Sequence, residues 1–154
     1  MKKEELIQKL DMKPLQGEGG YYHELYRSKD KTNGISNCGT TLYMLTSDTF
    51  SCMHKLSIDE TYYYHDGPAL EMLLIYEDHS EIIKIGKDIS NNEYPQFTIP
   101  AGVWQGSHMI EDGEYTLVST SMAPAFEAST FELGTYELLK DKTEHLDLLK
   151  ILTK

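Results

Sequence analysis

The chain has few of the residues on which nucleic-acid-binding proteins depend. It contains 14 Lys and Arg against 25 Asp and Glu, a formal net charge of -11, and Arg27 is its only arginine. A phosphate-binding surface needs a basic stripe, so this balance argues against nucleic acid and against anionic membranes as partners. The single arginine is suited either to bidentate binding of an anion or carboxylate, or to a structural salt bridge.

Cysteines and long apolar runs are also scarce. The two cysteines, Cys38 and Cys52, have neither C-x-x-C spacing nor a zinc pattern, and we expect two buried free thiols in a reducing compartment. No run of about 18 apolar residues is present, so we expect no membrane span. Residues 1–5 lead into a helical pattern rather than a signal peptide. These features predict one cytoplasmic domain, 1–154.

Short segments with strand-like alternation fill most of the sequence. Residues 3–10 and 144–152 have helical apolar spacing. Between them, the predicted strands are 21–27, 40–45, 50–56, 60–65, 70–76, 82–85, 96–99, 115–122 and 131–133. Turn residues separate these strands at fairly regular intervals and little helix intervenes. The pattern predicts an all-β sandwich or barrel with short N- and C-terminal helices.

Two segments nearly match a known metal-site spacing. His54 to Gly67 fits H-x-H-x3-E-x6-G except that Leu56 replaces the second histidine, and Pro100 to Gln105 fits P-x-G-x-x-H except that Gln105 replaces the last. Together with 18–28, 51–56, 59–67 and 119–124, these segments resemble the cupin superfamily and, within it, the DUF985 family. The likeness covers about residues 15–135.

The resemblance implies an all-β cupin jelly roll, or double-stranded β-helix, that is usually a homodimer. It also implies a fold similar to that of the nucleotide-sugar epimerases of the rhamnose pathway. The sequence departs from the family at three further positions. Tyr62 stands where tryptophan is frequent, Ala125 where glycine is frequent, and His23 where a basic residue is common.

A cupin barrel would direct His54 and Glu60 from adjacent strands into its interior. Our first hypothesis is a pocket for a small polar metabolite, a sugar or a nucleotide sugar, with epimerase or isomerase chemistry. His54 would be the general base, oriented by Glu60, and a tyrosine such as Tyr64 would return the proton. The expected substrate-binding residues are Glu24, Tyr43, Tyr62 and Gln105, with Tyr43 and Tyr62 as further candidates for the proton donor.

Two other functions use the same barrel. A metal-dependent isomerase or dioxygenase would bind a divalent metal through His54, Glu60 and Gln105. A non-catalytic ligand-binding protein would retain His54 and Glu60 as a buried hydrogen-bonded pair.

The other histidines and Cys52 have simpler expected positions. We expect His65 outside the barrel and His108 exposed in a loop. We expect His23 at the pocket or at a dimer interface, and Cys52 as a small core residue.

Overall fold

The computed structural model describes residues 1–154, most of them in short strands. The strands are β1 Lys13–Pro14, β2 Tyr21–Arg27, β3 Lys31–Thr32, β4 Ile35–Ser36, β5 Gly39–Leu45, β6 Ser51–Leu56, β7 Glu60–Asp66, β8 Leu70–Ile75, β9 Ser80–Ile85, β10 Glu93–Tyr94, β11 Gln96–Ile99, β12 Trp104–Met109, β13 Thr116–Met122 and β14 Phe131–Leu133. The α-helices are α1 Lys3–Lys9, α2 Tyr136–Leu139 and α3 Leu146–Ile151. Two 3-10 turns occur at Ile89–Asn91 and Ala128–Thr130.

The strands form two six-stranded sheets. The first has the order β1-β2-β5-β13-β7-β11 and the second the order β10-β9-β8-β12-β6-β14, while β3 and β4 form a separate hairpin. All pairs are antiparallel except β9 with β10. The chain therefore crosses between the sheets repeatedly, for example from β6 to β7, as in a jelly roll. The predicted all-β jelly roll is confirmed.

The apolar core lies between the two sheets because alternate residues of each strand face inward. On β13 the burial alternates at every residue from Thr116 to Met122. The largest buried cluster contains Tyr43 and Val118 from the first sheet and Met72 and Leu74 from the second. Alternation thus also determines which side chains can reach an interior cavity.

Both outer faces are partly covered by the terminal helices. Leu6 of α1 packs with Met44 of the first sheet. Leu148 and Leu149 of α3 pack with Leu73 of the second sheet. Strand β8 is therefore covered on both sides, which explains its nearly continuous apolar sequence.

The structure corrects three local expectations. β12 was not predicted as a strand, because its Gln-Gly-Ser-His sequence lacks apolar alternation, yet it lies between β6 and β8. His108 is consequently not in an exposed loop but on β12, half-buried, with Nε2 2.9 Å from Glu71 Oε1. Both cysteines are free, but Cys38 is only half-buried whereas Cys52 is buried.

None of the helices is long and apolar enough to cross a membrane.

Candidate functional site

A cavity of about 310 Å³ lies on the inner face of the first sheet. Strands β2, β5, β7 and β13 form its base, and the segments 15–18 and 126–131 cover it. Its lining consists of Leu15, Gln16, Glu18, Tyr22, Glu24, Thr41, Tyr43, Glu60, Tyr62, Thr120, Met122, Phe126, Ala128 and Phe131. The structure thus brings Glu24, Tyr43, Glu60 and Tyr62, four of the residues predicted from the sequence, to one cavity.

Strand register explains why Tyr64 does not reach the cavity. Thr120 of β13 is opposite Tyr62, whereas Val118 is opposite Tyr64. Tyr64 therefore lies one inward-facing row deeper and packs against the apolar core. Its hydroxyl donates to the carbonyl of Gly67 at 2.5 Å. The proposed role of Tyr64 in returning a proton finds no support in this position.

A chain of hydrogen bonds across the barrel holds the Glu60 carboxyl. Gln105 of β12, which is 1% exposed, donates from Nε2 to Glu60 Oε1 at 3.0 Å. The Tyr62 hydroxyl donates to Gln105 Oε1 at 3.2 Å. Because the two hydrogen bonds use both ends of the amide, Gln105 fixes the position of Glu60 and connects the two sheets.

The environment of Glu60 changes its titration. Burial and, after it, the nearby Glu18 carboxylate raise the pKa of Glu60 to about 7, against the opposing effects of His54 and the Gln105 amide. A carboxyl with a pKa near 7 can both accept and donate a proton at neutral pH. Glu60 is thus the group in the cavity with the clearest capacity for acid-base chemistry.

Glu18 is a second cavity carboxylate that the sequence analysis did not select. Gly19 and Gly20 follow it with φ of +109° and +76°, a region that L side chains rarely adopt. A Cβ on Gly20 would lie 2.9 Å from the Tyr43 hydroxyl oxygen. The Cys52 amide donates to the Glu18 carbonyl at 2.8 Å. This glycine turn, visible as Glu18-Gly19-Gly20, was the available sequence signal.

His54 lies behind the cavity wall rather than in it. It is 1% exposed, and its Nδ1 donates to the Cys52 carbonyl at 2.7 Å. Its Nε2 is 3.6 Å from Glu18 Oε1, and its ring stacks on Phe131 at 5.2 Å. Since Glu18 and Phe131 line the cavity and His54 does not, His54 can act on a ligand only through Glu18 or Glu60.

The two cavity tyrosines are hydrogen-bond donors that stay protonated at neutral pH. Burial raises the pKa of Tyr43 and of Tyr62 well above the usual value, and neighbouring carboxylates, Glu18 among them, add to the effect. The Tyr43 hydroxyl donates to the carbonyl of Gly19 at 2.6 Å. Both phenols therefore position the carboxylates and the glycine turn.

At the cavity mouth, the single arginine is a structural clamp. Arg27 donates from Nε and Nη2 to the two oxygens of Glu24, both at 2.9 Å. It also donates from Nη2 to the Phe126 carbonyl at 2.7 Å and from Nη1 to Glu127 Oε1 at 3.3 Å. Of the two uses expected for Arg27, the structure shows the salt bridge. The clamp joins β2 to the 126–131 segment.

The residues predicted as metal ligands do not form a metal-binding set. The Gln105 oxygen accepts from Tyr62 and its nitrogen donates to Glu60, so both ends of the amide are engaged within the protein. No group of three or more His, Cys, Asp or Glu side chains is close enough together to hold a metal ion. His54 and Glu60 remain, and two ligands fall short of the three protein ligands usual in catalytic zinc sites.

The other histidines hold the framework together. His65 is exposed on the outer face of β7, as expected, with Nε2 2.8 Å from Ser119 Oγ. His23 is not among the residues that line the cavity. Its Nδ1 donates to the carbonyl of Leu10, just beyond α1, at 2.7 Å.

The comparisons with known proteins identify the family. Residues 4–134 match the family model described as cupin superfamily (DUF985). The chain belongs to this cupin family. It is 28% identical to the uncharacterised protein YML079W of Saccharomyces cerevisiae over 149 residues, covering 84% of this chain and 72% of that protein.

Two solved cupin relatives have nearly the same structure along the whole chain. Protein SO0799 from Shewanella oneidensis matches with a TM-score of 0.93 and 28% identity, covering 100% of this chain and 98% of that one. A hypothetical protein from Leishmania major matches with a TM-score of 0.90 and 28% identity, covering 99% of each chain. The names of these relatives give no activity, so the function of this cupin must be argued from the cavity.

Proposed function

We propose that this cupin binds a small polyhydroxylated carbonyl compound in the barrel cavity and catalyses an isomerase- or epimerase-type proton transfer on it. The observation that carries the proposal is the Glu60 carboxyl, which lines the cavity, is held by Gln105 and has its pKa raised by burial to about 7. Perturbed carboxyls in clefts are frequent among catalytic acids and bases.

The cavity favours a single sugar over a nucleotide sugar. Its volume of about 310 Å³ is at the lower end of the range of about 300–1,000 Å³ for small-molecule sites. No Lys, Arg or His is among its lining residues, whereas a diphosphate normally requires basic side chains or a cluster of backbone amides. The nucleotide-sugar part of the sequence-based hypothesis is therefore the less favoured one.

In the proposed catalytic step, polar side chains of the cavity have separate roles. Glu60, as a carboxylate, removes a proton from the carbon next to the substrate carbonyl. The enolate oxygen that forms accepts a hydrogen bond from the hydroxyl of Thr41, which lines the same wall. The newly protonated Glu60 then returns the proton to the neighbouring carbon, which completes an isomerisation. His54 stabilises the ionised carboxylates from behind the wall.

Proton exchange with solvent tests this function directly. The protein is incubated in D2O with unphosphorylated aldoses and ketoses and, in parallel, with nucleotide sugars, and deuterium next to the carbonyl is followed by NMR. We expect exchange with one or more free sugars, and a loss of about 10²–10⁴-fold in Glu60→Gln, the usual contribution of a general base.

The matched control is Glu4→Gln, which makes the same change of charge on the exposed surface of α1. It should exchange at the wild-type rate. Binding without exchange in any sugar would favour the non-catalytic ligand-binding alternative. Equal exchange by Glu60→Gln and wild type would remove Glu60 from the chemistry.

A further inference from the structure

We propose that the cavity selects an organic cation, a small molecule that carries a protonated amine or a quaternary ammonium group. The inference rests on the proposed function in taking the cavity as the ligand site, and it adds the charge class of the ligand. It arises from the carboxylates, the aromatic faces and the absence of any basic group in the cavity lining.

The charged groups that line the cavity are all acidic. Glu18, Glu24 and Glu60 contribute carboxyls, and no Lys, Arg or His is among the lining residues. Like charges this close raise the free energy of the empty cavity when ionised, which is why Glu18 contributes to the raised pKa of Glu60. A bound cation would relieve this repulsion, whereas an anion would add to it.

Arg27 does not convert the mouth into an anion site. Its guanidinium already donates to the two oxygens of Glu24, to Glu127 and to the Phe126 carbonyl. These bonds neutralise Glu24 and occupy the bidentate edge of the guanidinium. An anionic ligand would have to displace this clamp. The carboxylates of Glu18 and Glu60, deeper in the cavity, have no such cationic partner apart from His54.

Glu18 has an oxygen with room for a ligand donor. Ser51 Oγ donates to Glu18 Oε2 at 3.1 Å. Glu18 Oε1 lies 3.6 Å from His54 Nε2, which is beyond the length of a good hydrogen bond. An ammonium hydrogen directed at Oε1 would complete the coordination of Glu18.

The remaining wall is aromatic. Five rings line the cavity, those of Tyr22, Tyr43, Tyr62, Phe126 and Phe131. The face of an aromatic ring is electrostatically negative and attracts an ammonium group by about 0.5–2 kcal/mol, more when the site is desolvated. Rings surrounding carboxylates form the environment in which proteins commonly hold alkylammonium groups, and a neutral ligand gains little from that arrangement.

Charged and neutral ligands of the same shape test the inference. Choline is compared with its uncharged isostere 3,3-dimethylbutan-1-ol, and cyclohexylamine with cyclohexanol, by NMR titration of the wild-type protein. We expect the cation of each pair to bind at least about tenfold more tightly. Chemical-shift changes should fall on the residues around Glu18 and Tyr62.

Two variants separate local recognition from the overall charge. Glu18→Gln retains an oxygen that can accept from Ser51 but loses the charge, and it should reduce the preference for the cation to about threefold or less. Glu4→Gln, with the same change in net charge, should keep the full preference. If Glu18→Gln does not fold, as judged by its thermal transition, the isostere pairs on the wild type still decide the question.

The outcomes distinguish this inference from the proposed function. Equal or tighter binding of the neutral isosteres overturns cation selection, and so does the absence of saturable binding by every cation while free sugars bind. Either result leaves proton exchange by Glu60 intact. Conversely, cation preference without exchange on any substrate supports the inference and contradicts the proposed catalysis.

Discussion

At the scale of single residues, Glu60 couples the cavity to the stability of the fold. Burial and Glu18 raise its pKa from 4.5 to about 7, against the opposing effects of His54 and Gln105. The folded state therefore holds a proton that the unfolded state releases between these values, and the contribution of Glu60 to stability falls as pH rises through that window. The residue to which we assign the proposed acid-base chemistry thus destabilises the protein when it is ionised.

We predict that Glu60→Gln is more stable than the wild type at pH 8 and similar at pH 5. The amide mimics the protonated carboxyl, so the gain at pH 8 should be about 1–3 kcal/mol. Thermal or urea unfolding at the two pH values measures the difference. Glu4→Gln on the surface of α1 should show no comparable change with pH. A gain that is the same at both pH values would contradict the raised pKa.

A second residue-scale prediction concerns the buried hydroxyl of Ser107. Ser107 on β12 is fully buried, and its Oγ has no hydrogen-bond partner. The Thr116 hydroxyl is equally buried but donates to the Pro68 carbonyl at 2.7 Å. Removing an unpaired hydroxyl relieves a desolvation cost, whereas removing a paired one leaves the carbonyl unsatisfied. Ser107→Ala should be neutral or up to about 1 kcal/mol more stable, and Thr116→Val about 1–3 kcal/mol less stable.

Urea unfolding of these two variants provides the measurement. Because each change removes one buried hydroxyl from a strand, they serve as controls for each other. Similar losses of stability in both would mean that the Ser107 hydroxyl has a hydrogen-bond partner, such as an internal water. That result would contradict the prediction for Ser107→Ala.

At the scale of elements, strands with clear alternation were predictable and the loops were not. β2, β11 and β14 begin and end where the sequence pattern indicated. β12 was missed because its polar residues and Gly106 conceal a strand that is buried on both sides. Alternation also placed Glu60 and Tyr62 on one inward face, and both residues line the cavity.

The misplaced site residues depend on contacts far apart in sequence. Alternation cannot tell how deep an inward residue lies, so Tyr64 was not distinguished from Tyr62. Glu18 is held by the amide of Cys52, 34 residues away, and only the folded chain shows this. His54 faces the interior as predicted, but Glu18 and Phe131 separate it from the cavity.

Arg27 is one of the contacts that hold the 126–131 segment over the cavity. We predict that Arg27→Lys loosens this segment, because lysine cannot bind Glu24 bidentately and reach the Phe126 carbonyl at the same time. Hydrogen exchange should become faster in 126–131, while global stability changes by about 1 kcal/mol or less, since the pair is partly exposed.

The control for this variant is Lys140→Ala, which removes an exposed ion pair with Glu137 on α2. It should leave exchange in the 126–131 segment unchanged. Uniformly faster exchange throughout Arg27→Lys would indicate global destabilisation and would argue against a local clamp.

At the scale of the whole molecule, the structure has an open sheet edge that suits the predicted homodimer. β1 pairs only with Tyr21 and Tyr22 of β2, so the rest of β2 has no strand on that side. Leu25 and Tyr26 in this stretch are 56% and 53% exposed. An unpaired edge with exposed apolar side chains is suited to pairing with a second chain. We therefore expect a second copy of this chain at the β2 edge.

Light scattering at micromolar concentration tests this expectation by measuring the mass of the protein in solution. The wild type should have twice the mass of the chain, and Leu25→Asp should shift it to the monomer, because a buried unpaired charge at an interface costs several kcal/mol. Ile89→Asp, which places the same charge at a site 70% exposed on the 3-10 turn before β10, should remain dimeric. A monomeric wild type would make the dimer prediction wrong, and a dimeric Leu25→Asp would place the interface elsewhere. Since Glu24 and Arg27 belong to the same strand, a dimer at this edge would also position the cavity mouth.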